Sequence, residues 1–307
     1  LASSKKVIYA ALAGNSLIAI TKFIAAFITG SSAMLSEGIH SVVDTGNQFL
    51  LLHGLNKAKK PPDKDFPFGY GKEVYFWSFI VAILIFALGA GISIYEGILH
   101  LRHPQPIESP YINYIVIALA LMFEGAAWTF AYREFKSTKG KLSYIKAVNR
   151  AKDPSVFVVL FEDSAAILGL AIAFSGILLG QITGIEYFDG AASIAIGLIL
   201  AGTAIWLAYE TKGLLIGESA DESTVKRIRE IASGFHVVNH VNEILTLHMG
   251  PDFILVNISI EFSDSATADE IEQSIEKLDG EIKSEFPEVK RIFIEAEARK
   301  AVIDSGN

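Results

Sequence analysis

Cysteine is absent from the 307 residues. That rules out disulfides and thiolate metal sites, and leaves histidine nitrogen and carboxylate oxygen as the donors for any metal chemistry. Basic residues are scarce toward the C-terminus: residues 214–307 hold 9 Lys and Arg against 19 Asp and Glu, whereas residues 1–213 hold 17 against 15. An acidic tail repels a phosphate backbone, so nucleic acid is excluded as a partner. The first apolar block lacks a small-residue cleavage site after a short core and reads as a mature helix. Apolar residues make up 51% of the chain and are gathered in long blocks, which a soluble domain does not do.

Six of these blocks approach the roughly 20 apolar residues that a bilayer core demands of a helix. They are residues 7–29, 32–55, 75–99, 111–133, 155–181 and 188–212. Loop 56–73 carries Lys57, Lys59, Lys60, Lys64 and Lys72, and loop 134–153 carries Lys136, Lys139, Lys141, Lys146, Arg150 and Lys152. The opposite loops hold only Arg102. Lys and Arg collect on the cytoplasmic face, so both termini are expected there. After residue 213 the pattern changes to a helix over 221–234 with Ser219 or Asp221 as N-cap, strands over 242–249 and 253–262, a helix from Thr267 to Phe286 and a strand over 289–296. The expected fold is a membrane-embedded, all-α six-helix bundle over residues 1–213, followed by a cytoplasmic ferredoxin-like αββαβ domain over 214–307.

Ionisable groups inside a span are costly, and each is a functional candidate. Span two offers Glu37, His40, Asp44 and Asn47 at spacings of three, four and three, which puts all four on one helical face. Span five offers Glu162 and Asp163. Asp163 is favoured as the inward one, because Ala165, Ala166 and Gly169 let another helix come close. Polar residues in a span also serve as simple helix–helix hydrogen bonds, the reading preferred for Glu37, Asn47 and His53. Lys22 and Glu124 read first as charges that neutralise each other or another buried group. Asp189 reads as the N-cap of span six, and His236, His240 and His248 read as surface histidines. Glu295 and Glu297 share one face of the last strand.

Three runs resemble the cation diffusion facilitator family, most of all its zinc transporter 9 branch. They are Ser36-Glu37-Gly38-Ile39-His40-Ser41-Val42-Val43-Asp44-Thr45-Gly46-Asn47-Gln48, Phe66-Pro67-Phe68-Gly69-Tyr70-Gly71-Lys72-Glu73 and Leu160-Phe161-Glu162-Asp163-Ser164-Ala165-Ala166. The resemblance implies a homodimeric exporter, not an enzyme, that exchanges cytoplasmic Zn2+ for protons by alternating access, with Mn2+, Fe2+ and Co2+ as other cargoes. It implies metal ligation by His40, Asp44 and Asp163, with Val159 where relatives carry a fourth ligand and with Glu162, Glu124 or water in its stead. The loop that often carries histidine in the family has Phe66 and Tyr70 here, with Asp63 the one acid near the usual place, and Asn242, Asn257 and Glu295 stand roughly where relatives have histidine. Membrane lipid surrounds such a protein, and a bacterial inner membrane is the expected location. The competing classes are a membrane metallohydrolase with Glu162 as base, and a metal sensor anchored by the bundle.

Overall fold

The computed structural model describes residues 2–107, 109–139 and 154–299; Lys141, Lys146, Arg150 and Lys152 of the expected basic loop lie outside them. Among the described residues six long helices come first: α1 (Ala2–Thr29), α2 (Ser32–Ala58), α3 (Glu73–Arg102), α4 (Pro110–Lys139), α5 (Pro154–Thr183) and α6 (Tyr187–Ile216). A π-helical segment, Ile85–Ala90, lies within α3. The remainder is α7 (Glu222–Ser233), β1 (Val238–Gly250), β2 (Phe253–Phe262), α8 (Ala268–Glu285) and β3 (Val289–Ala296). Two compact units result. The first is Leu1–Asn56 with Val74–Lys212, and the second joins Lys57–Glu73 to Gly213–Asn307.

In the first unit the usual distribution of side chains is inverted. Phe27 is 91% exposed, and Met122, Phe130, Leu198 and Ile205 also face outward, while Lys22, Glu37, His40 and Asn47 are buried. Such a surface suits hydrocarbon and not water. Of the described helices, α3, α4, α5 and α6 are long and apolar enough to cross a membrane, and the apolar part of α1 is Asn15–Thr29. Helix α2 has the length, but the polar residues on its inward face dilute its apolar character. Glycine sets the closest contacts between helices. A Cβ at Gly97 would stand 2.8 Å from the carbonyl oxygen of Gly190, and one at Gly197 would stand 2.6 Å from Ile94, so α3 and α6 meet nearly backbone to backbone.

The second unit is built on the sheet β1-β2-β3, antiparallel between β1 and β2 and parallel between β2 and β3. Ile254, Val256, Ile258 and Ile260 alternate along β2 and meet Ile228, Ala232, Leu278 and Ile282 of the two helices in one core. Asp221 caps α7 by accepting from the Ser223 amide at 3.0 Å. Thr267 and Glu270 close a capping box at the start of α8. Arg227 of α7 donates to Glu285 of α8 at 2.7 Å, and this hydrogen bond chiefly keeps the Glu285 carboxyl below the usual range. Strand β1 starts at Val238, four residues before the expected 242, because bulges at Val238/His240 and Val241/Glu243 break the alternation that marks a strand in the sequence. His236 and His240 are exposed, but His248 is 4% exposed, which corrects the surface reading for that histidine.

Residues 57–73 fold within this second unit as a tight loop around Asp63. One Asp63 oxygen accepts from the amides of Asp65 and Phe66 at 3.0 and 2.8 Å, and the other accepts from the Tyr70 hydroxyl at 2.6 Å. The Tyr70 bond chiefly holds the Asp63 carboxyl below its ordinary value, and the same bond pushes the Tyr70 phenol up to about 12. Gly69 turns the chain at φ +82°, and a Cβ on Gly71 would overlap the Met249 carbonyl oxygen at the β1–β2 turn. The glycine pair of the Phe66–Glu73 run therefore has a structural cause: one left-handed residue and one close backbone approach.

Candidate metal site

Helix α2 carries the candidate site, and its position is fixed at several heights. At its start Asp189 of α6 accepts from Ser31 Oγ at 2.6 Å, the Ser32 amide at 2.5 Å and Ser32 Oγ at 2.9 Å. Asp189 thus lies in the first turn of its own helix and caps α2 instead, across 157 residues of sequence, which corrects the reading of it as the cap of span six. Its negative charge meets the positive end of the α2 dipole. One turn further, Ser36 and Ser193 are hydrogen-bonded. Gly38 admits the Phe23 ring of α1, and Gly54 admits Trp77 of α3, each within about one van der Waals contact of an added Cβ.

The inward face of α2 presents Glu37, His40, Asp44 and Asn47, as its spacing predicts, and the four are 0%, 1%, 8% and 0% exposed. His40 Nδ1 comes within 3.3 Å of Asp44 Oδ1 without hydrogen-bond geometry. Both His40 nitrogens, Asp44 Oδ1, Asn47 Oδ1 and Glu37 Oε1 are buried with no hydrogen-bond partner. Helix α5 faces them with Glu162 and Asp163, 3% and 8% exposed. Asn47 Nδ2 donates to Glu162 Oε1 at 2.6 Å, so Glu162 is tied to α2 by an amide. Among the described residues, no three His, Asp or Glu side chains stand close enough together to hold one cation. The structure therefore brings His40 to Asp44 and Asn47 to Glu162, and leaves Asp163 on the neighbouring helix, outside any ready-made three-ligand cluster.

Glu124 is turned to another partner. Lys22 of α1 stands 3.7 Å from Glu124 Oε1 and 3.1 Å from Glu37 Oε2, and donates to Ser41 Oγ at 2.8 Å. The Glu37–Lys22 pair was not legible in the sequence, because nothing in the spacing of α1 says which acid its lysine meets. Gly169 of α5 lies directly against Glu37 Oε1, where a Cβ would overlap it. The small residues of span five thus make room for a buried carboxylate. In the second unit, Asn257 donates to Glu295 at 3.2 Å and Ser259 to Glu297 at 2.5 Å, so Glu295 in β3 and Glu297 just beyond its end are both engaged by β2. Asn242 donates to Ser259 Oγ at 3.2 Å.

Residues 8–216 match the model of the cation efflux transmembrane domain. Over 259 residues the chain is 37% identical to the proton-coupled zinc antiporter SLC30A9, mitochondrial, of Xenopus laevis, which covers 84% of this chain and 46% of that one. It is 30% identical over 262 residues to metal tolerance protein C4 of Arabidopsis thaliana, covering 85% and 57%. With the manganese efflux system protein MneP of Bacillus subtilis it shares 23% identity over 297 residues, 95% of each chain. The chain spans about half the length of the first relatives it matches.

Proposed function

Because this chain belongs to the cation efflux family, in the branch of the mitochondrial zinc antiporters, we propose that it carries a divalent transition-metal ion, Zn2+ first, across a bilayer in exchange for protons. The observation that carries this reading is the inward face of α2, where an imidazole, a carboxylate and an amide keep buried polar atoms without hydrogen-bond partners. Such atoms are costly unless a ligand satisfies them. His40 and Asp44 supply one nitrogen and one oxygen to the ion from α2, and Asp163 supplies an oxygen from α5, with Glu162 or water in the place that Val159 leaves open. The third ligand closes in when the ion arrives, because the carboxylates lose their mutual repulsion only with a cation between them.

Imidazole and carboxylate must shed their protons to bind a metal, so H+ and the ion compete for the same groups. Protons entering from the more acidic side displace the ion, and the protonated site returns. A tetrahedral nitrogen and oxygen set suits Zn2+, while Mn2+, Fe2+ and Co2+ remain cargoes of the same chemistry, in keeping with a relative named for manganese efflux. The wider reading has all six helices crossing the membrane, both ends of that bundle on the cytoplasmic side, and a ferredoxin-like C-terminal domain that pairs two copies. The lysines of loop 57–73 support that orientation, and a bacterial inner membrane is its expected location. The zinc antiporter and the manganese efflux protein are named for transport, and neither name favours a metallohydrolase or a sensor.

The test is zinc flux in sealed vesicles that contain only the purified protein, with an indicator trapped inside. An imposed pH gradient is expected to drive Zn2+ toward the more acidic compartment, and reversing the gradient is expected to reverse the flux. Flux indifferent to the gradient removes the proton coupling, and no flux at all removes the transport reading.

A further inference from the structure

Lys22 has no part in the ligand set, yet among the described residues it is the largest charged side chain sealed into the bundle, with no exposed surface. A buried ammonium is tolerated only where opposite charge and hydrogen-bond acceptors meet it. Here Nζ meets Glu37 and Ser41 from α2 and Glu124 from α4. Glu37 and Ser41 flank His40 on α2, so Lys22 grips the ligand-bearing helix beside the candidate ion site. One ammonium faces two carboxylates in this group, and Asp44, Glu162 and Asp163 add three more nearby. A cluster with that much negative charge and low solvent access would hold a divalent ion firmly and surrender it slowly.

We propose that Lys22 is a built-in counter-cation of the transport site, a positioning residue that keeps metal affinity low enough for release while tying α2 to α1 and α4. The inference rests on the reading that His40, Asp44 and Asp163 bind the cargo. The lysine charge opposes the entering ion and favours its departure, and it stays in the bundle when the ion has gone. At that stage it limits the repulsion among the carboxylates left behind. Glu37 and Glu124 belong to Lys22 in this arrangement, which removes Glu124 from the ligand set and leaves Glu162 or water to complete it.

Zn2+ binding to the full purified chain, titrated against a fluorescent chelator, and Zn2+ flux in vesicles together test it. Lys22→Met is expected to tighten binding by at least about tenfold, with KM and kcat for flux falling together, because a repulsive unit charge is lost at short range. Lys22→Arg keeps the charge and is expected to stay within about threefold of wild type. Removing one charge of each sign, Lys22→Met with Glu37→Gln, is expected to bring affinity back toward wild type, which a merely structural lysine would not do. If Lys22→Met fails to fold, Glu37→Gln alone serves: it leaves Lys22 less matched and is expected to weaken Zn2+ binding several-fold. Unchanged or weaker binding in folded Lys22→Met, no recovery in the double variant, or unchanged binding in Glu37→Gln each overturns the proposal. Failure of the transport reading looks different, since the wild type itself would then carry no Zn2+.

Discussion

Replacing Asp44 with Asn, or Asp163 with Asn, is expected to lower Zn2+ flux in reconstituted vesicles by at least about a hundredfold, with the protein still folded and inserted. The substitution keeps size and shape but removes the negative charge, and an amide oxygen is a poor replacement for a carboxylate on Zn2+. The expected loss is large because so few donors serve the ion: Val159 contributes none, and His40 is the only histidine among the polar residues of α2 that face the bundle interior. Asn47→Ala offers the contrast. It removes the amide that holds Glu162 at 2.6 Å and is expected to cost flux less than either aspartate, since it frees a side chain without removing a charge. Equal flux in Asp163→Asn and wild type would mean that α5 gives the ion no ligand.

The second large effect comes from a residue with no side chain. A Cβ at Gly169 would overlap Glu37 Oε1. Glu37 cannot step aside freely, because its other oxygen is 3.1 Å from the Lys22 ammonium and moving it would break a buried pair. Gly169→Ala is expected to destabilise the bundle by about 1–3 kcal/mol, the usual cost of overpacking, and to cut flux by at least about tenfold through displacement of α2. Gly46→Ala and Gly125→Ala are the controls, since a Cβ at either meets nothing within 4 Å. In a helix each is expected to be neutral or to stabilise by up to about 1 kcal/mol. Adding Glu37→Asp to Gly169→Ala shortens the obstructing side chain by one methylene and is expected to recover part of the lost stability. Thermal unfolding in detergent, read beside flux, separates these outcomes; a Gly169→Ala protein as stable and active as Gly125→Ala would contradict the contact.

What the sequence disclosed follows from how local each feature is. The spacing of Glu37, His40, Asp44 and Asn47 needs nothing beyond the helical period, and all four are buried on α2. The Asp221 cap of α7 and the start of α8 at Thr267 are also written in adjacent residues. Partners between helices are not. Lys22 meets Glu37 across 15 residues, Asn47 meets Glu162 across 115, and Asp189 reaches Ser31 across 158. Their charges were evident in the sequence, but their pairing depends on how the helices pack. The early start of β1 was hidden by its bulges, and the burial of His248 by the same irregular register near Gly250. The modest apolar character of α2 has the same source as its buried polar face, because Glu37, His40, Asp44 and Asn47 are the residues that dilute it.

The central claim, that one imidazole and carboxylates from two helices share a single ion, is tested most directly by X-ray absorption at the zinc edge on the zinc-loaded protein. The account expects a shell of nitrogen and oxygen only, with one histidine's outer-ring scattering that disappears in His40→Ala. Its bond lengths should be close to 2.0–2.1 Å. A spectrum that needs two or more histidines, or one that is unchanged when His40, Asp44 and Asp163 are replaced together, would place the ion elsewhere and contradict the account.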